Sequence, residues 1–263
     1  MMMPSPVKAI SNTRLFKLSL IINIVMSSFV FVGPAYTQEK TINSVVIKPY
    51  DLEYIAEIDG MKIASRNQLS KQGAQYRVKT KAKNFLGTIR EQSDFKISNI
   101  GNIVPLRYSK QQKTILGNRS ESQQFDWASK SLSYSVNGTS GKLDILPGYF
   151  DRLSLTEQLR LSIASGKEKF GYSVISRGTS RQYQYQVIGN QILRTNQGSY
   201  NSLVIERLSE NSAKKTKIWF ALDWDYVILK LETYEKNSKK TMVISRGKLN
   251  GNLILPLENK VEI

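Results

Sequence analysis

Cysteine and histidine are absent from this 263-residue chain, and acidic side chains are scarce, with 21 Asp and Glu against 38 Lys and Arg. Without cysteine there is no lipidated cysteine, no disulfide framework, no thiol catalysis and no zinc–thiolate or iron–sulfur site. Without histidine the usual base of a serine triad, the commonest metal ligand and the usual proton shuttle near neutral pH are gone. No cofactor and no metal site is therefore expected, and a carboxylate-only calcium or magnesium site is the one metal chemistry left open. The shortage of acids leaves a formal charge of +17. Such an excess attracts anions such as phosphate head groups, nucleic acid or acidic polysaccharide, and specifies none of them.

Internal repeats and low-complexity linkers are missing too, which favours one domain. A composition of 40% hydrophobic and 22% charged residues is ordinary for a globular chain.

The N-terminus reads as an export signal. Lys8, Arg14 and Lys17 precede an apolar run from Leu18 to Val32, and Gly33-Pro34-Ala35 offers the small residues of a cleavage site. Cleavage is expected after Ala35, with Thr37 as the second choice, and an uncleaved membrane anchor is the rival because the run approaches the ~20 residues that span a bilayer. Removing residues 1–35 takes away those three cations and no acid, so about +14 of the +17 belongs to the mature chain. The expected organisation is a signal at 1–35, a short lead at 36–49 and a single antiparallel β domain at 50–263. The destination is the periplasm.

From Leu52 onward apolar and charged residues alternate with period two, which sets one face of a strand on a core and the other in water. The pattern recurs in 52–58, 61–69, 75–82, 90–97, 106–113, 121–127 and 131–136, then in 169–176, 181–189, 191–196, 200–208, 216–220, 227–234 and 240–249. Asp59-Gly60, Asn99–Asn102, Asn137-Gly138, Gly189-Asn190 and Asn196–Gly198 mark turns between them. One segment breaks the rule. Leu155, Leu159 and Ile163 recur every fourth residue, predicting an amphipathic helix between Asp151 and Gly166. Asp151 is the first choice of N-cap, Ser154 with Glu157 offers a second register, and Gly166 is the stop. The fold class is mainly β: a curved antiparallel sheet, half-open barrel or sandwich, with that helix plugged into its concave side.

These stretches resemble the bacterial exported proteins of domain-of-unknown-function family 3108, over roughly Tyr50 to Arg246. The opening hairpin around Leu52 to Ile63, the run from Thr80 to Gly87 leading to Arg90–Ser93, and Gln124-Phe125-Asp126-Trp127 are similar to family segments. So is Leu146–Ser154, the proline-glycine approach to the helix. The most specific match is Lys217 to Glu232, like the family's closing hairpin, although Ile228 and Leu222 stand where the family usually has prolines. The resemblance implies location and fold and no reaction. The shape is also similar to periplasmic lipoprotein carriers, a likeness of fold alone.

Asp223 and Asp225 are the best-paired carboxylates, able to share a cation or do acid–base work, or else to cap the turn before Val227. Arg152 is a candidate anion ligand at the helix start, or a structural ion-pair partner. Trp127, Trp219 and Trp224 are candidates to line a ligand cavity, against the commoner fate of aromatics on alternating strands, which is core. Lys79, Lys81 and Lys83 share one strand face, while Lys214, Lys215, Lys217, Lys236, Lys239 and Lys240 cluster near hairpin tips; solvated faces account for both groups. Arg181 with Tyr183 and Tyr185 comes nearest to the interleaving that nucleic acid needs. An export signal argues against nucleic acid and for an anionic membrane or lipopolysaccharide surface.

The chain reads as a binder more than an enzyme, and no catalytic residue is assigned. The first expectation is a lipid or other amphiphile held in the concave face of the sheet. The second is an assembly factor holding another envelope protein, whose identity the residues do not indicate. The third is a hydrolase of cell-wall glycan built on Asp223 and Asp225.

Overall fold

The computed structural model describes residues 47–259 apart from 116, 209–213, 236 and 237. The expected export signal at 1–35 and both of its expected cut sites lie outside the described residues. Two up-and-down meanders build one 16-stranded sheet. The first runs through β1 (Tyr50–Ile58), β2 (Met61–Gln72), β3 (Gln75–Asn84), β4 (Gly87–Ile97), β5 (Ile103–Thr114), β6 (Gly117–Asp126), β7 (Ser131–Val136) and β8 (Thr139–Asp144). A two-residue strand β9 (Tyr149–Phe150) then leads into helix α1 (Arg152–Ala164). The second meander is β10 (Lys169–Ser176), β11 (Thr179–Thr195), β12 (Gly198–Leu208), β13 (Lys214–Ala221), β14 (Ile228–Glu235) and β15 (Ser238–Leu249). A short β16 (Asn252–Leu253) pairs with β15.

The two meanders join where the chain's first and last long strands meet, β1 lying antiparallel to β15 from Tyr50↔Leu249 to Ile58↔Lys240. Strand order is therefore β8 to β1, then β15 back to β9. The period-two pattern predicted most of these strands because one face of each is buried. Asp59-Gly60 and Asn137-Gly138 form the hairpin turns expected of them, each with positive φ at both residues. Gly189-Asn190 differs. Its flanking strands are one 17-residue strand, and Gly189 takes its positive φ in a bulge against β12. The short strands β8 and β9 were not foreseen; β8, TSGKLD, is mostly exposed and carries little apolar alternation.

β8 and β9 are the two ends of the sheet, and side chains bridge between the two meanders there. Gln123 Nε2 donates to the Ile175 carbonyl at 3.1 Å, and the Arg177 amide donates to Glu121 Oε1 at 2.7 Å. Phe125, Leu132, Ile145 and Ile175 bury one another beside these bonds as a small second core. The main core surrounds α1.

Asp151 caps that helix, its Oδ1 accepting the Leu153 and Ser154 amides at 2.9 and 3.0 Å. Its Oδ2 accepts the hydroxyls of Ser93 on β4 and of Ser154, both at 2.7 Å. The alternative register from Ser154 is thus not the one used. Leu155, Leu159 and Ile163 are buried as their spacing predicts, but so are Glu157, Gln158, Arg160 and Ser162. The periodicity marks one stripe of the helix, whereas the sheet wraps both sides of it. The buried polar groups are mutually satisfied, as burial demands. Tyr50 donates to Glu157 Oε1 at 2.7 Å, Arg160 donates to Glu157 Oε2 at 2.6 Å, and Arg160 also donates to the Asp225 carbonyl at 2.9 Å. Gln158 Oε1 accepts the Ile103 amide at 2.8 Å.

A candidate ligand cavity in the concave face

Strand register turns the alternating sequence of the second meander into layers of chemistry. Residues directly opposite one another across an antiparallel ladder share a face and stand side by side. Ile205 faces Ile218, Ile218 faces Leu231, Leu231 faces Met242 and Met242 faces Ala56, giving an apolar row across five strands. Two residues along, Tyr185 faces Arg207, Arg207 faces Thr216, Thr216 faces Thr233, and Thr233 faces Lys240. Two further along, Lys214 faces Glu235. Hydrocarbon therefore gives way to hydroxyl and cation toward one end of the sheet.

A cavity of about 950 Å³ lies over these rows, with Leu155 and Leu159 of α1 contributing to its wall. Its volume is at the upper end of the roughly 300–1,000 Å³ of ordinary small-molecule sites. Arg152, Arg177, Arg181, Arg207, Lys214 and Lys240 line it against one carboxylate, Glu235. Glu235 takes Lys214 at 3.0 Å and Lys240 at 3.9 Å. Arg152 lies 3.6 Å from Glu91 of β4, whose charge holds the guanidinium even more firmly protonated than usual. Arg207 stacks its guanidinium 4.6 Å from the Tyr183 ring centre. Arg177, Arg181 and Arg207 make no ion pair with a carboxylate among the described residues. Burial raises the Tyr185 hydroxyl further above its usual value, so it stays neutral beside them.

Of the six candidate ligand residues Trp127, Arg152, Trp219, Asp223, Trp224 and Asp225, Arg152 lines this cavity and the other five lie elsewhere, whereas Arg181, Tyr183, Tyr185, Lys214 and Lys240, read from the sequence in other terms, line it too. Trp127 stacks on Phe125 in the small second core and donates its indole N–H to the Pro105 carbonyl at 2.6 Å. Trp219 falls one residue out of phase with Ile218 on β13, so it sits on the opposite face of the sheet, where it donates to Gln191 at 3.2 Å under the Lys230 ammonium. Trp224 packs against the main core from the β13–β14 turn. Asp223 and Asp225 in that turn are directed to different partners: Asp223 accepts the Asn201 amide at 3.0 Å, and Asp225 takes Arg160 at 3.3 Å. No group of three or more acids positioned to hold one metal ion occurs among the described residues. Arg177 and Arg207 drew no attention in the sequence because they stand alone there; only the ladder gathers them. Arg181 with Tyr183 and Tyr185 is the local signal of this margin, and in the sequence alone its interleaving points toward nucleic acid.

A second hollow, of about 740 Å³, lies against β3 to β8 and is lined chiefly by polar groups such as Ser109, Ser122, Gln124 and Ser133. Tyr108 and Tyr134 also line it.

Residues 50–245 match the family described as a protein of unknown function, DUF3108. The chain belongs to that family. No curated protein matches this DUF3108 member. Among solved structures, it is similar to a β-barrel-like protein of domain of unknown function DUF1849 from Brucella abortus, at 7% identity and a TM-score of 0.53. That match covers 78% of this chain and 99% of the other. At such identity the likeness concerns the fold alone. A "putative lipoprotein" from Parabacteroides distasonis ATCC 8503 aligns at 11% identity with a TM-score of 0.28, over 81% of this chain and 98% of the other. No helix among the described residues is long and apolar enough to cross a membrane.

Proposed function

We propose that this DUF3108 member is an exported cell-envelope protein that binds an anionic amphiphile in the concave face of its sheet. The observation that carries this reading is the layering of the 950 Å³ cavity: an apolar row at Ile218, Leu231 and Met242, then a cationic margin in which three arginines make no ion pair with a carboxylate among the described residues. A hydrocarbon chain laid on the apolar row gains about 0.8 kcal/mol per methylene removed from water. A phosphate or carboxylate at the other end of the ligand meets planar guanidinium forks, which bind either anion through paired hydrogen bonds. The export reading rests on the basic and apolar N-terminus. Catalysis is no part of the proposal.

Protein released gently from the envelope should carry an anionic lipid in native mass spectra. Anilinonaphthalene sulfonate should bind the emptied protein and be displaced by lysophosphatidylglycerol far better than by lysophosphatidylcholine. A protein that binds neither dye nor lipid, or that prefers the zwitterionic lipid, ends this reading.

A further inference from the structure

Hairpin turns on a sheet are ordinarily polar; here Ile100 stands exposed alone in the β4–β5 turn, while at the other end two neighbouring turns carry exposed apolar side chains together. Phe85 at the β3–β4 turn is 83% exposed, and Ile115 at the β5–β6 turn is 74% exposed. The turns are braced as one unit: the Ile115 amide donates to the Leu86 carbonyl at 3.0 Å, and the Leu86 amide donates to Asn84 Oδ1 at 3.0 Å. Gly87 permits the contact, because a Cβ there would lie 2.2 Å from the Lys113 carbonyl oxygen. The apolar tips are thus held out on rigid supports, with no protein surface to cover them among the described residues.

Their surroundings are basic. From Arg77 to Arg90 the chain contains no acid and carries Lys79, Lys81 and Lys83, and from Arg107 to Ser120 it again contains no acid and carries Lys110, Lys113 and Arg119. Lys81, Lys83, Lys113 and Arg119 are exposed. Apolar side chains ringed by lysine are the composition that settles at the boundary of an anionic bilayer, the hydrocarbon reaching ~5–10 Å in and the cations meeting head groups. Two projecting tips offer too little area for a stable protein interface, which needs roughly 800 Å² per partner. We infer that the paired tips at Phe85 and Ile115 dock the protein on an anionic lipid bilayer.

The orientation follows from antiparallel connectivity. The β1–β2, β3–β4, β5–β6 and β10–β11 turns fall at one end of the sheet, together with the last residue of β14 and the first of β15. Arg177, Glu235 and Lys240 of the cavity margin stand at that end. A bilayer gripped by the tips therefore faces the mouth of the cavity. Docking stands on the tips alone; only its use in passing an amphiphile rests on the proposed function.

A cysteine-free chain allows one dye at a chosen site. The exported form, purified intact, is labelled with an environment-sensitive fluorophore at Phe85→Cys, at Ile115→Cys, or at Gln197→Cys in the opposite end's β11–β12 turn. With vesicles of phosphatidylglycerol and phosphatidylethanolamine, emission at 85 and 115 shifts to the blue and emission at 197 does not; with phosphatidylcholine vesicles none shifts. Phe85→Ser with Ile115→Ser weakens partition into the anionic vesicles by about tenfold or more. No shift at the tips, an equal shift at 197, or tip crosslinks in cells that enter one protein and no lipid would overturn the inference. Arg181→Glu with Arg207→Glu should weaken dye binding by about tenfold or more while the tips still shift, so failure of the cavity reading and failure of docking give different results.

Discussion

The two meanders share an architecture and differ in what they turn inward. Across β4, β5 and β6 the inward rows read Glu91, Lys110, Glu121 and then Ser93, Tyr108, Gln123. Across β12 to β15 the inward row reads Ile205, Ile218, Leu231, Met242. On the first side most of the polar groups are spent on neighbours: Tyr108 donates to Glu91 at 2.8 Å, and Gln123 donates to Glu121 at 2.8 Å and to the Ile175 carbonyl at 3.1 Å. Directional bonds fill that side and seat the helix. The second side is apolar, borders the cavity, and has cations at its margin. One half fixes the helix through directional bonds and the other leaves an apolar wall with open space beside it; hydrogen-bonded polar groups resist displacement, whereas apolar contact has no directional demand.

The strongest way to break this division is to attack the helix that both halves hold. Arg160→Met leaves the fully buried Glu157 without its guanidinium, and urea denaturation should show a loss of about 3–5 kcal/mol. On the polar side, Glu91→Ala strips a partner from Tyr108 and Arg152; with Arg152 half exposed, the expected loss is about 1–3 kcal/mol.

Acid should separate Asp151 from Glu232. Burial raises the Asp151 carboxyl above the usual range, despite the hydrogen bonds that oppose it, so the native state takes up a proton before the unfolded one and gains stability as pH falls through that interval. Glu232 on β14 behaves oppositely. Desolvation pushes its pKa up, but the bonds from Lys230 and Lys239 outweigh it and leave the group below the usual value. Its contribution is complete above the unfolded pKa and disappears as pH drops through the folded one. Stability curves between pH ~6 and ~2 should therefore steepen toward acid in Asp151→Asn and flatten in Glu232→Gln. Parallel shifts of the same sign would contradict the assignment.

At the cavity margin, Arg181→Glu with Arg207→Glu should change stability by no more than about 0.5 kcal/mol each, while dye affinity falls by about tenfold or more. Smallest of all, Lys79→Ser on the exposed face of β3 should leave both stability and dye affinity within error.

Much of the sheet was legible because burial on one face leaves a period-two trace, and the helix was legible from Leu155, Leu159 and Ile163. What stayed hidden was set by pairing at long range. Gly189 reads the same whether it turns a hairpin or bulges a strand, and only the continuous partner β12 decides between them. Glu157, Gln158 and Arg160 look solvated in a list of residues, yet the sheet encloses them. The cavity suffered most. Arg177, Arg207 and Lys240 are scattered along the chain and meet only once the ladders from β10 to β15 are laid down.

The pairing of β1 with β15 has a consequence for how the protein is made. Tyr50 must find Leu249, so the central ladder that joins the two meanders cannot be completed until the chain as far as β15 has emerged. So late a closure between distant partners slows folding, and it leaves one edge of β1 unpaired until β15 arrives.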